Sequence, residues 1–218
     1  FGYPPCPGGV MFINDSWIET IEGWQARVKR WLSSSTPDAM MNMAILMDAE
    51  AICGDATLFD AVKASWQQED LRSSLALAWF AKQAMQFETP LTFLGKIRED
   101  HGKVDIKKGG IFPLVHGVRS LAFEHAIDEC NTLKRLEVLQ QRQILEEDVA
   151  QGLRDALLFF IRLRLRQQLE RDGEHRGLSQ QLELDKLRSV DRSLLRHALH
   201  RVKKFKQQLF LHFHLENF

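Results

Sequence analysis

At 218 residues, 44% of them hydrophobic, the chain is long enough to bury a substantial core and too apolar to belong with disordered proteins. Its 29 basic and 29 acidic side chains cancel, so bulk charge points to neither nucleic acid nor an anionic membrane surface. No apolar run approaches the ~18 residues that cross a bilayer. Cys6, Cys53 and Cys130, odd in number and lacking metal-type spacing, point to a reduced, cytoplasmic setting.

The chain opens on Gly2-Tyr3-Pro4-Pro5-Cys6-Pro7-Gly8-Gly9-Val10-Met11, a rigid apolar run that is neither a tag nor a signal peptide. It reads as the continuation of a larger protein with part of the machinery upstream. A helix follows from Trp17, with Trp17, Ile21, Trp24, Val28 and Trp31 on one face, Asp15 or Ser16 as cap and Ser33-Ser34-Ser35 as stop. That spacing is a core seam, and any exposed remainder of it is a docking surface for the upstream part. Thr36-Pro37-Asp38 restarts the chain with a cap and a proline at the first helical position, ahead of a buried helix over Met40–Met47.

After a break at Gly54-Asp55, helices are expected over Leu58–Trp66 and Leu71–Met85, the second ending before Thr89-Pro90. Leu91–Gly110 is the least helical stretch. Its Asp100-His101-Gly102 and Lys108-Gly109-Gly110 turns flank Val104-Asp105-Ile106 and suggest a short hairpin. Helices return over Pro113–Ile127, Thr132–Gln141 and Leu145–Leu169, and a last one runs from about Asp191 with Leu194, Ala198, Val202, Phe205, Leu209 and Phe213 as its apolar stripe. Glu170–Gln181 between them is polar and reads as a surface loop. The expected fold is an all-α helical bundle with one short β-hairpin.

The ordered set of motifs resembles a known family. It comprises Cys6-Pro7-Gly8-Gly9-Val10-Met11 with Asn14 and Trp17; Asp48 with Gly54-Asp55; Asp105-Ile106-Lys107 with Gly110, Pro113-Leu114 and Arg119; Asn131-Thr132 with Arg135-Leu136; Arg162-Leu163-Arg164 with Gln167; and Leu187 with Arg192, Leu194 and Gln207. The chain resembles the C-terminal substrate-binding domain of bacterial signal-transduction proteins that also carry cyclic-nucleotide-binding, CBS and DNA-polymerase-β-like nucleotidyltransferase domains. On this resemblance residues 1–14 end the nucleotidyltransferase-like core, and 15–218 form the helical domain that closes over its cleft. The resemblance also implies kinship with the helical domains of glutamine synthetase adenylyltransferase and kanamycin nucleotidyltransferase. Their cores hold metal ions with a Gly-Ser motif and an Asp-x-Asp pair, and neither pattern occurs in this chain. No cofactor is therefore expected within this stretch, and Mg2+ and a nucleoside triphosphate belong to the whole protein. Its expected partners are the upstream nucleotidyltransferase-like and regulatory domains and a nucleotide or protein acceptor, with a homodimer as a further option. Neither nucleic acid nor a membrane is expected.

One departure bears on function. Relatives read Asp-Phe-Arg ahead of the Gly-Asp, whereas this chain has Asp48-Ala49-Glu50. Arginine is the natural bidentate partner of phosphate and glutamate repels it, so either the family arginine is structural or this member has lost part of an anion site.

The candidate substrate-binding residues are Asp55, Asp105, Lys107, Arg119, Arg135, Arg162 and Arg166. Arg162 and Arg166 share a helix face and either meet phosphate or pair with Glu170 and Asp155. Asp105, Lys107 and Arg119 either gather beside Gly109-Gly110, where a ligand can approach the backbone, or serve a plain turn. Asn131-Thr132 ahead of Arg135 reads as a helix cap, Cys6 as a packed thiol, and the pairs His197/His200 and His212/His214 as ordinary helix histidines rather than metal ligands. Two functions compete: a substrate-binding, cleft-closing domain lined by Lys107, Arg119 and the 162–166 arginines, and a non-enzymatic interaction module that dimerises through Phe205, Leu209, Phe210 and Phe213.

Overall fold

The computed structural model describes residues 9–11, 14–34, 36–68, 71–173 and 181–217, with side chains left out at 171–173. Cys6, most of the opening motif and residues 174–180 lie outside these. Among the described residues there are eight α-helices: α1 (Ile21–Ser33), α2 (Pro37–Leu46), α3 (Ala56–Trp66), α4 (Ser74–Lys82), α5 (Phe112–Glu124), α6 (Thr132–Gln141), α7 (Glu147–Gly173) and α8 (Ser189–His212). No helix among them is long and apolar enough to cross a membrane. The all-α expectation holds.

Local chemistry sets most of the boundaries. Thr20, Thr36, Asp55, Ser73 and Asn131 each accept a backbone N–H at the start of a helix, which satisfies donors that the first turn leaves free. The cap of α1 is thus Thr20, rather than Asp15 or Ser16, and Trp17 sits in a separate 3-10 turn over Asp15–Trp17. From there its ring folds onto Trp24 and Trp31, with all three centroids 5.9–6.2 Å apart. α7 continues through Gly173, past the expected polar break at Glu170.

α5 is the axis of the bundle. Ten of its side chains, from Pro113 to Phe123, are buried, and it touches α4, α6 and α8. Gly117 permits the approach of α8, because a Cβ there would lie 2.3 Å from Leu209 Cδ1 and 2.8 Å from Phe205 Cε1. α7 and α8 pack along each other and send Leu153, Phe160, Leu163, Leu195, Val202 and Phe205 into the core. Leu194, expected on the buried stripe of α8, is 47% exposed. α1 rests on α2 and α3.

The hairpin expectation needs correction. Val104 does pair as a strand, but β1 (Lys103–Val104) joins the distant β2 (Leu182–Glu183), antiparallel, with Lys103 opposite Glu183 and Val104 opposite Leu182. Local sequence patterning cannot reveal a partner so far along the chain. The second supposed turn is a π-helical turn over Lys107–Ile111 that leads directly into α5. Its glycines are buried against protein. A Cβ on Gly109 would lie 2.4 Å from Pro90 Cδ, and one on Gly110 would lie 3.0 Å from the Phe160 ring.

Because Gly117 lets α5 meet α8 at close range, Gly117→Ala is expected to destabilise the fold by about 1–3 kcal/mol through overpacking. Urea unfolding should show a lower midpoint with an unchanged slope.

Candidate functional site

Two connections face each other across the bundle: the α2–α3 segment after Asp48, and the α5–α6 segment that ends at Asn131. Behind them lies an ionic network in which two buried arginines meet one carboxylate that keeps 35% of its side-chain surface exposed. Arg135 on α6 has a side chain only 1% exposed. Its Nη1 donates to Asp48 Oδ1 at 2.7 Å, its Nη2 to the Met47 carbonyl at 3.1 Å, and its Nε to the Glu129 carbonyl at 2.5 Å. Arg119 on α5 reaches the same carboxylate from the other side. Its Nε donates to Asp48 Oδ1 at 3.0 Å, Nη2 pairs with Oδ2, and Nη1 donates to His116 Nδ1 at 3.1 Å.

Because arginine only donates, His116 must accept at Nδ1 and carry its proton on Nε2, which donates to the Phe80 carbonyl at 2.8 Å. The ring is fully buried between Phe80 and Phe112. Burial, aided by the Arg119 charge, pushes its pKa down to about 3, so it stays neutral at any physiological pH. Asp48 feels the opposite balance. Burial raises its pKa, but the hydrogen bonds and charges of Arg119 and Arg135 outweigh that and hold the carboxyl below the usual range.

Beside this network, lined by neighbours such as Ala49 and Glu129, opens a cleft of about 330 Å³. Phe59 and the 49–51 backbone form one wall and Cys130 and Asn131 the other, with Glu50, Asp60, Lys63, Asp128, Glu129 and Lys134 as its charged lining. Lys63 pairs with Asp128 at 3.1 Å and Lys134 with Glu129 at 4.0 Å. Glu50 and Asp60 have no ion-pair partner among the described residues, which leaves the lining net negative. Cys130 donates its S–H to the Ala49 carbonyl at 3.4 Å, and burial pushes the thiol pKa up, so it is not an activated nucleophile.

The seven sequence candidates divide. Arg119 and Arg135 come together, on Asp48 rather than on open space. Asp55 caps α3, accepting from the Thr57 N–H at 3.0 Å and hydroxyl at 2.6 Å. Asp105 accepts from Lys108 N at 2.9 Å at the head of the π turn, and Lys107 is exposed beside it. Neither is hydrogen-bonded or ion-paired to Arg119 among the described residues. Arg166 bridges to Asp191 at 3.2 Å and Glu170 at 3.8 Å, while Arg162 is exposed on α7. The expected concave surface of Lys107, Arg119 and the 162–166 arginines is thus not assembled, since Arg119 points inward to Asp48 and His116.

Sequence reasoning did not name His116, and it used Asp48 only as part of a resemblance. A signal was there: two arginines and one aspartate sit at or beside apolar stretches, and charges in such places must find each other. Among the described residues no three His, Cys, Asp or Glu side chains gather that could hold a metal ion. His200 and His212 engage the Gly95 carbonyl and Glu124 instead.

Fold and cleft together define an all-α domain with a polar cleft beside an ionic network. Residues 74–213, more than half of the chain, match the family described as "Putative nucleotidyltransferase substrate binding domain", and the chain belongs to that family. Residues 1–38, which take in α1 and its tryptophans, match a second family, "Putative nucleotidyltransferase DUF294". No characterised protein and no solved structure matches the chain. The Arg119–Arg135 side of the cleft falls within the longer match, and the Asp48–Lys63 side falls between the two.

Two stability measurements test the network. A buried base with a folded pKa of about 3 makes the fold lose stability as pH drops below about 6.5, by up to ~1.4 kcal/mol per pH unit. Wild type is therefore expected to lose about 2 kcal/mol between pH 7 and pH 5, a slope missing from His116→Gln. The lowered Asp48 pKa acts in the same direction in a more acidic window: its stabilisation is complete above about pH 4 and is lost only in stronger acid. Asp48→Asn, which strands the Arg135 charge, is expected to destabilise by about 3 kcal/mol at pH 7 in urea titrations.

Proposed function

We propose that the domain holds the acceptor substrate of a nucleotidyltransferase in the cleft beside Asp48, Arg119 and Arg135, and closes that substrate against the catalytic core. The supporting observation is convergence: Asp48, Arg119 and Arg135, from distant parts of the sequence, join in one ionic network that holds the connections carrying Ala49 and Glu129 into the cleft lining, in a member of a substrate-binding family. We further infer the chemistry of the acceptor from charge. The two buried arginines are spent on Asp48 and His116, and Glu50 and Asp60 leave the lining net negative. Such a cleft repels a triphosphate and suits an acceptor that carries ammonium groups beside its reactive hydroxyl. Glu50, in place of the expected arginine, then acts as a selectivity residue. The nucleotide and its metal belong to the core, in a parent protein of the signal-transduction type that the sequence resembles.

Thermal unfolding of the chain with spermidine, glutamine, ATP and Mg-ATP tests this reading. At about 100 times its dissociation constant a bound probe stabilises by ~2.7 kcal/mol. Spermidine is expected to stabilise the wild type, and ATP is not. Glu50→Arg combined with Asp60→Lys is expected to abolish the spermidine effect and to admit ATP. Stabilisation by ATP that ignores both substitutions, or a flat response to the amines, overturns it.

The interaction module remains a second reading, favoured by one observation. Phe93 and Leu94 stand 100% and 80% exposed, away from the cleft. Of the four residues first expected to dimerise, Phe205, Leu209 and Phe213 are core residues, which leaves Phe210 on the surface.

A further inference from the structure

The turn between Leu91 and Ile97 is built to present apolar side chains. Leu91 and Ile97 pair across it as an isolated antiparallel bridge. Inside, Thr92 N–H donates to the Lys96 carbonyl at 2.8 Å, Gly95 N–H donates to the Thr92 carbonyl at 3.0 Å, and Lys96 N–H donates to Thr92 Oγ1 at 3.1 Å. Gly95 takes a φ of +73°, which glycine adopts without strain. His200 of α8 clamps the turn, with Nε2 3.2 Å from the Gly95 carbonyl. At the tip of this pinned knuckle, Phe93 and Leu94 project into solvent. A soluble surface scatters single apolar residues freely, but two large neighbours held out on a hydrogen-bonded turn mark a contact.

A receptor lies beside them. One turn further along α8, a hollow of about 370 Å³ opens between Met85, Leu91 and Phe210, with Glu88, Lys203 and Gln207 at its edge. His200, Lys203, Gln207 and Phe210 follow at three- and four-residue steps, so clamp and hollow occupy one face of the same helix. Seven residues separate His200 from Gln207, which at 1.5 Å per residue is roughly 10 Å. A benzene ring fits an apolar cavity of about 150 Å³, so the hollow has room for a phenyl ring and an isobutyl group together.

We propose that the chain dimerises by a reciprocal exchange in which Phe93 and Leu94 of each copy enter the hollow of the other. A knob and a hole adjacent on one face are what a two-fold, isologous interface requires, because one rotation fills both holes. The charges that line the hollow have both signs, Glu88 (also paired to Arg98 at 2.6 Å) against Lys203 and Lys206, as suits a surface that meets its own copy. That mixture argues against an anionic membrane, which would select a uniformly basic surround. Two side chains and one hollow per copy make a small interface, of the class that associates weakly. This inference is independent of the acceptor cleft, which lies on other elements.

Sedimentation velocity on the 218-residue chain from about 5 to 300 μM tests it, a range that brackets micromolar dimers. The wild type is expected to pass from monomer to dimer. Phe93→Asp with Leu94→Asp, at exposed positions where folding is not at stake, should weaken the dimer by more than about 100-fold. Gln207→Trp, which fills the hollow, should do the same. Mixing the two variants should restore association through the one intact knob and the one intact hole, more weakly than in wild type. A wild type that stays monomeric throughout, or a dimer indifferent to both variants, overturns the proposal. So does knuckle-dependent co-sedimentation with phosphatidylglycerol vesicles in the absence of a dimer.

Discussion

Arg135 keeps 1% of its side chain in contact with solvent, and a guanidinium in that position must receive its partners from the protein. Burial alone draws its pKa below the usual arginine range, and Asp48 is the group that pulls it back. The same carboxylate serves Arg119, so one acid just past the end of α2 ties together α5 and α6. Such networks contribute more to uniqueness than to net stability, because desolvation offsets most of the Coulomb attraction. Their directionality does the positioning. Met47 and Glu129 supply carbonyls only if both connections run as they do, so the walls of the cleft are set by the satisfaction of one buried cation.

The network also decides what the cleft can recognise. Arg119 and Arg135 are the family-matching cations, and their donors point away from the opening. His116 adds a third layer: its neutral ring accepts from Arg119 and donates to Phe80, so the chain of hydrogen bonds ends in a backbone carbonyl deep in the core. What faces a ligand is therefore the lining alone, where each lysine is neutralised by an acid and two further acids remain. The replacement of the expected arginine by Glu50 continues a trend already present in Asp60, and it leaves the network untouched.

The helices were legible because their signals are local. Caps at Thr36 and Asn131, the apolar spacing of α8 and the proline that opens α2 each act within a few residues. The failures share the opposite property. β1 found its partner in β2, some eighty residues on, where no turn signal reports it. Gly109 and Gly110 resembled a turn because glycine is permissive, whereas their small size serves Pro90 and Phe160. The candidate arginines read from sequence as substrate-binding residues, but an arginine in an apolar helix looks the same whether its carboxylate is a ligand's or the protein's own. Only the three-dimensional approach of Asp48 distinguishes the two.

The division of labour between the two faces follows from where α5 and α8 meet. Gly117 lets them approach closely, which commits Phe205 and Leu209 to the core and leaves the opposite side of α8 to His200, Lys203, Gln207 and Phe210. Lys206 shows how firmly that outer face is set. Its ammonium donates to the Phe87 carbonyl at 2.6 Å, and burial lowers its pKa despite the attraction of Glu88. It thereby fastens the 85–91 segment to α8 just below the knuckle. A segment fastened by a buried lysine at one end and by His200 at the other is rigid enough to hold Phe93 and Leu94 in place without their own packing. The exposed apolar pair is thus a consequence of how α8 is anchored, and its stiffness lowers the entropy that an occupied interface must overcome.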